Sequence, residues 1–182
     1  MTSVHVLSLA TCRAVCATAL LLALALAQSF AGATEPNNVM RIEGDVQRPT
    51  SIGVEALRTF AAPAQLTFTS GREVAGKKQQ SVVRGVSLRA ILEQAGLAER
   101  DRFDWRKAVV IAIARDGYRA VFSWPELFNT EPGAQVMLAY ERDGAALGAG
   151  EGPIALHAPG DIRTGPRHVK WMARVEVRVL RD

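Results

Sequence analysis

Arg163, Arg167, His168 and Lys170 fall within eight positions of one another in a 182-residue chain. A guanidinium can fork onto two oxygens of one anion, an ammonium acts as a compact point charge, and an imidazole adds a directed donor. Together these residue types suit a phosphate, a carboxylate or an acidic partner surface. The same residues would mean little on a fully solvated loop, where an exposed ion pair contributes about 0–1 kcal/mol. What matters is how firmly the flanks hold them. Upstream, Gly152-Pro153 opens a short apolar strand that runs to His157, and Pro159-Gly160-Asp161 breaks it. Downstream, Val175, Val177 and Val179 alternate with Arg174, Glu176 and Arg178, the period-2 mark of a half-buried strand. The basic residues therefore sit on a turn between two strands.

Other chemistries find less support. Gly144, Gly148, Gly150 and Gly152 are followed by Pro153 and a strand, whereas a dinucleotide fingerprint needs a strand before its glycines and a helix opening on them. A metal site needs about three convergent His, Asp, Glu or Cys ligands. His157 and His168 are not at helical ligand spacing, so the sequence points to no metal site. In its apolar strand His157 reads as a core or edge histidine, and His168 beside Arg167 as a donor to an anion. No serine stands in a G-x-S-x-G elbow, and no catalytic residue is assigned. Trp124, Trp171 and Tyr118 could stack on a heterocycle or fill core space with their polar atoms bonded.

The elements that must position the basic turn follow from periodicity. Met40, Ile42 and Val46 mark a first strand over 39–46, and Thr50-Ser51 can cap a short helix over 54–60 that Pro63 breaks. Leu66 and Phe68 place a second strand over 65–69. The segment 70–80, with Arg72, Lys77 and Lys78, reads as an exposed loop or hairpin tip. Behind Ser87, Leu88, Ile91, Leu92 and Ala95 recur at helical spacing, and Gly96 stands where a left-handed C-terminal cap is wanted. Residues 108–114 form an apolar run of strand length, Asp116-Gly117 is a hairpin-type turn, and 118–122 returns as its partner. Ser123-Trp124-Pro125-Glu126 has capping-box spacing with proline in the first turn. Strands over 136–140 and 154–157, with a turn at Asp143-Gly144, complete the set. Many short strands, tight turns and two or three helices predict an α+β fold with a mixed, mostly antiparallel sheet.

Residues 1–33 read as an export signal. Arg13 is the only charge, the apolar run over 14–27 is shorter than the ~20 residues of a membrane span, and Ala31-Gly32-Ala33 supplies a small-x-small cleavage site. Ala25-Leu26-Ala27 is an alternative site. Residues 34–182 would then form a single domain in the periplasm or outside the cell, with no stable membrane span after cleavage. Cys12 and Cys16 both lie in the signal, so the mature domain would have no disulfide and no thiolate ligand. Loss of Arg13 lowers the formal charge from +4 to +3, and charges of both signs are interspersed, which gives nucleic-acid binding no support.

Four features resemble, in order, the sulfite oxidase-type molybdopterin-binding domain. They are Gly85-Val86-Ser87-Leu88 before a helix, Asp116-Gly117-Tyr118, Gly152-Pro153 before a strand, and Gly165 leading into Val169-Lys170-Trp171 and the last strand. The likeness runs over roughly 40–180. It implies the sulfite oxidase-type fold and a molybdenum held by the dithiolene of a pterin and by one protein cysteine. That cysteine lies in a Cys-x-Gly-Asn-Arg-like turn before the Gly-Val-x-Leu helix. The matching stretch here is Phe68-Thr69-Ser70-Gly71-Arg72, with Thr69 and Ser70 where the cysteine would stand. A neutral hydroxyl is a poor substitute, because a soft, high-valent metal favours a thiolate. The family's phosphate-binding role falls on Arg167, His168 and Lys170, with Arg163 as a helper and backbone N–H groups around Gly165 completing the cradle. With the export signal and the missing cysteine, the reading is an exported domain of this fold that lacks redox activity and binds a small anionic ligand or a periplasmic partner protein. The alternative is a minimal molybdopterin-dependent oxidoreductase with a non-cysteine metal environment.

Overall fold

In the computed structural model, which describes residues 38–74 and 77–181 (the side chains of 72–74, 77 and 78 excepted), the alternating C-terminal stretch is β10, Met172–Val179. The expected export signal lies outside the described residues. β10 is the middle strand of a five-stranded sheet that also contains β1 (Val39–Gly44), β2 (Thr50–Gly53), β5 (Ala108–Ala114) and β6 (Arg119–Ser123), in the order β2-β1-β10-β5-β6. Its pairing with β1 is parallel and the other pairings in this sheet are antiparallel. Val175, Val177 and Val179 are buried, as their alternation requires.

The second sheet runs β3 (Gln65–Val74), β4 (Lys77–Ser87), β7 (Met137–Arg142) and β8 (Ala145–Ala146), with β9 (Ala155–His157) also paired to β7. The segment 70–80, read above as a loop or hairpin tip, instead continues the β3–β4 ladder out to Val74 opposite Lys77. An antiparallel sheet can face water on one side, so polar side chains do not stop it.

Side chains of both sheets meet in one large core, with Met40, Ile42, Val110 and Val177 from the first and Val86, Leu138 and Leu156 from the second. Helix α2 (Leu88–Ala95) buries Leu88, Ile91, Leu92 and Ala95 in this core, each large side chain contributing about 1.5–3 kcal/mol. Ser87 makes no side-chain cap bond there; the Leu88 N–H bonds to the Val136 carbonyl at 2.8 Å instead. Gly96 takes the positive φ, +69°, that its position behind the helix suggested. The short α1 (Val54–Arg58) precedes β3. Helices α3 (Trp124–Asn129) and α4 (Glu131–Ala134) follow β6, and α3 opens with the expected capping box of Ser123 and Glu126. Alternation along β7 turns Met137 and Ala139 away from the large core into a smaller cluster with Val83, Leu147 and Ala155, against which Leu66 and Phe68 pack. Among the described residues no helix is long and apolar enough to cross a membrane.

Candidate functional site

The site begins with a register. Leu156 at the centre of β9 forms an antiparallel bridge with Val169 through two N–H···O bonds of 2.8 and 3.0 Å. The next residues outward, His157 and His168, therefore face each other across the pair, and their rings stack with centroids 4.0 Å apart. Leu156 and Val169 point into the large core, so alternation sends both imidazoles to the opposite face. There the Phe68 ring lies 5.3 Å from that of His157.

Glu151 is brought to the same place by unusual backbone. Gly152 and Trp171 both have positive φ, +79° and +49°, and the Trp171 N–H donates to the Glu151 carbonyl at 2.7 Å. A side chain on Gly152 would put its Cβ 2.6 Å from the Trp171 ring, so only glycine admits the tryptophan. Trp171 thus packs on the glycine, with its Nε1–H donating to the Ala149 carbonyl at 3.1 Å.

Arg142 orients the carboxylate. Its Nη2 donates to Glu151 Oε1 at 2.7 Å and its Nη1 to Ser81 Oγ at 2.6 Å. The other carboxylate oxygen, Oε2, lies 4.0 Å from His157 Nε2, and His168 Nε2 lies 4.0 Å from Oε1. Glu151 Oε2 and both Nε2 atoms are buried without a hydrogen-bond partner. Each such atom costs about 1–3 kcal/mol, so three in one spot need a common cause. Burial, then the neighbouring His168, then Arg142 push the His157 imidazole down to about 3, so it is neutral near pH 7. Burial also lowers His168, with Glu151 opposing and Lys170 and Arg142 assisting.

These groups line a cavity of about 450 Å³ that Ser70, Thr164 and Lys170 help to enclose. Of the four residues proposed from sequence, His168 and Lys170 reach it and Arg163 and Arg167 do not. Arg163 is exposed. Arg167 Nε donates to Asp161 Oδ2 at 2.7 Å, its Nη2 to Asp161 Oδ1, and its Nη1 to Glu126 Oε1 at 2.7 Å. Its guanidinium lies 4.4 Å over the Phe122 ring. Bonding to Asp161, above all, raises its pKa further. Arg167 therefore buckles the basic loop to the start of α3, through the same glutamate that closes the capping box. Tyr118, exposed, ties the loop from the other side by donating to the Pro166 carbonyl at 2.6 Å. Sequence reasoning missed Arg142, Glu151 and Ser81, which no local motif marks.

The model for the oxidoreductase molybdopterin binding domain matches residues 32–180. The chain belongs to that family. Its fold is similar to that of the sulfane dehydrogenase SoxCD from Paracoccus pantotrophus, with a TM-score of 0.59 and 21% identity over 79% of this chain. The match covers 38% of that chain's length. No curated protein matches. The expected sulfite oxidase-type α+β fold is thus the observed one.

The donor set can be compared with what the family's molybdenum would ask of it. On β3, Leu66, Phe68 and Ser70 are half-buried while Thr67 and Thr69 are exposed, so Ser70 is the hydroxyl that faces the cavity. The described residues include no cysteine. Ser70 offers a neutral hydroxyl where the resemblance places an anionic thiolate, so the residues present do not supply the ligand the family's molybdenum would take.

Proposed function

We propose that this member of the family is an exported binding domain without molybdenum redox chemistry, and that it holds a small oxyanion of the carboxylate or phosphate class. Lys170 carries the reading. It is an exposed residue that lines the cavity and has no ion-pair partner among the described residues, and His168 and Arg142 line the same cavity. Each of the two carboxylates nearby has one oxygen engaged: Asp143 Oδ1 accepts the Val82 N–H at 2.7 Å, and Glu151 Oε1 accepts from Arg142. An oxyanion at Lys170 would gain a charge-assisted bond, and Ser70 and Thr164 offer neutral donors around it.

Calorimetric titration with inorganic phosphate, a pterin phosphate and a short dicarboxylate tests this. Lys170→Ala should weaken binding of the preferred anion by about tenfold, the equivalent of 1.4 kcal/mol. Equal affinity in both proteins, or none in either across the panel, would remove the anion reading. Protein purified from its own host should hold no stoichiometric molybdenum. Its N-terminus should be Thr34, or Gln28 if the earlier site is cut; an intact Met1 would defeat the export reading.

A further inference from the structure

We propose that Glu151, His157 and His168 bind one divalent transition-metal ion of the zinc class. The proposal goes beyond the anion reading and does not rest on it. One atom from each residue, a carboxylate oxygen and two imidazole nitrogens, lies within 4.8 Å of the others. Three points so placed always have a common point within about 2.8 Å (4.8 Å divided by √3), so reaching the 2.0–2.1 Å of zinc bonds asks for a contraction of about 0.8 Å or less at each ligand.

The orphaned atoms argue for a cation in particular. Glu151 Oε2 is an acceptor only, and at 4.0 Å from His157 Nε2 it is too far for a hydrogen bond. An anion would leave that oxygen unpaired, whereas one metal ion would satisfy all three atoms together. His157 is 7% exposed, so its ring has little contact with bulk solvent. Two imidazoles and one carboxylate form a borderline N/O set, which favours zinc, cobalt, nickel or copper over magnesium or calcium.

The surroundings also suit a ligand sphere. Arg142 holds Oε1, leaving Oε2 to bind in monodentate fashion, and Ser81 holds Arg142 in turn. Such outer partners fix ligand orientation. Three protein ligands leave a fourth position facing the cavity, where Lys170 could retain an oxyanion ligand of the metal.

The test uses the full exported chain, stripped with chelator and titrated with Zn²⁺ by calorimetry and with Co²⁺ by visible absorption. One ion per chain is expected, with the intense d–d bands of low-coordinate cobalt. Glu151→Gln, His157→Gln and His168→Ala should each weaken Zn²⁺ binding at least 100-fold, and Arg142→Gln about tenfold or more. Arg163→Ala, outside the cavity, should bind as wild type does. Circular dichroism of each metal-free variant checks that it folds, and the cobalt spectrum of the unmodified chain stands whatever the variants do. Absence of cobalt bands at millimolar Co²⁺, or Zn²⁺ affinity unchanged by both Glu151→Gln and His168→Ala, would overturn the site. Zinc binding without any anion binding would leave the metal site standing and remove the anion reading; the converse would do the reverse.

Discussion

Arg167 and Lys170 look alike in the sequence, but the structure gives them different work, and Arg167→Ala separates the two. Arg167 bonds two carboxylates and covers the Phe122 ring; its side chain is 25% exposed, Glu126 31% and Asp161 13%. Charge-assisted bonds to two partners are worth about 1.5–3 kcal/mol each, and the ring contact about 0.5–1 kcal/mol. Against this, freeing the long side chain returns about 2 kcal/mol of rotamer entropy. The net loss should be about 1.5–5 kcal/mol, which for a domain of this size lowers the melting temperature by about 3–20 °C. Anion affinity should change by no more than about twofold, because the residue does not line the cavity. Asp161→Asn is the companion: it removes the first partner of Arg167 without removing a cation, and should lower the melting temperature in the same direction. The assays are thermal unfolding by circular dichroism and calorimetric titration, on the same preparations. If Arg167→Ala abolished anion binding and left the melting temperature unchanged, Arg167 would be a ligand contact and the buckle reading would be wrong.

Two further outcomes follow from the geometry. Gly85→Ala, at the irregularity where β4 meets β7, would place a Cβ 2.7 Å from Ala139 Cα and nearer still to the Leu138 carbonyl oxygen, both immovable backbone, so a loss of about 1–3 kcal/mol or more is expected in chemical denaturation. Asp104 is buried and its pKa is lowered, chiefly by the Arg100 N–H that its Oδ2 accepts at 2.9 Å. The stability it contributes is therefore present above its unfolded pKa and is lost as pH falls through the lower folded value. Wild type should outlast Asp104→Asn at neutral pH by a margin that shrinks below about pH 4; a margin constant down to pH 2 would show that the carboxylate's ionisation is not what matters.

Most of the fold could be read from alternation and turn chemistry, because both are local. β10, β5, the Asp116-Gly117 turn and the Ser123–Glu126 capping box stand where their residues put them. The outer half of the β3–β4 hairpin did not show, since its polar sequence carries no apolar alternation to mark a ladder. The site was harder for a different reason. Ligand spacing was judged against helical periods, while His157 and His168 meet through strand pairing, eleven positions apart around the Leu156–Val169 bridge. Glu151 joins them only because Gly152 and Trp171 turn the chain with positive φ, which a tryptophan does not advertise.

The division within the basic turn is set by breaks in the alternation that identified β10: its register shifts between Met172 and Arg174, Trp171 has positive φ, and Gly165–Arg167 is a 3-10 turn. His168 and Lys170 are two apart and line the cavity together, while Val169 between them is buried in the core and Arg167 lies over Phe122 on the far side. A period-2 reading carried back from β10 has no warrant across these breaks, so Arg167, five residues upstream of the strand, could not be sorted from His168 and Lys170 by spacing alone. Of the four residues in the turn that the sequence singled out, only His168 and Lys170 line the cavity. The partners of each residue, the cavity for His168 and Lys170 and the two carboxylates for Arg167, are what sort the residues that can touch a ligand from the one that holds the turn in place.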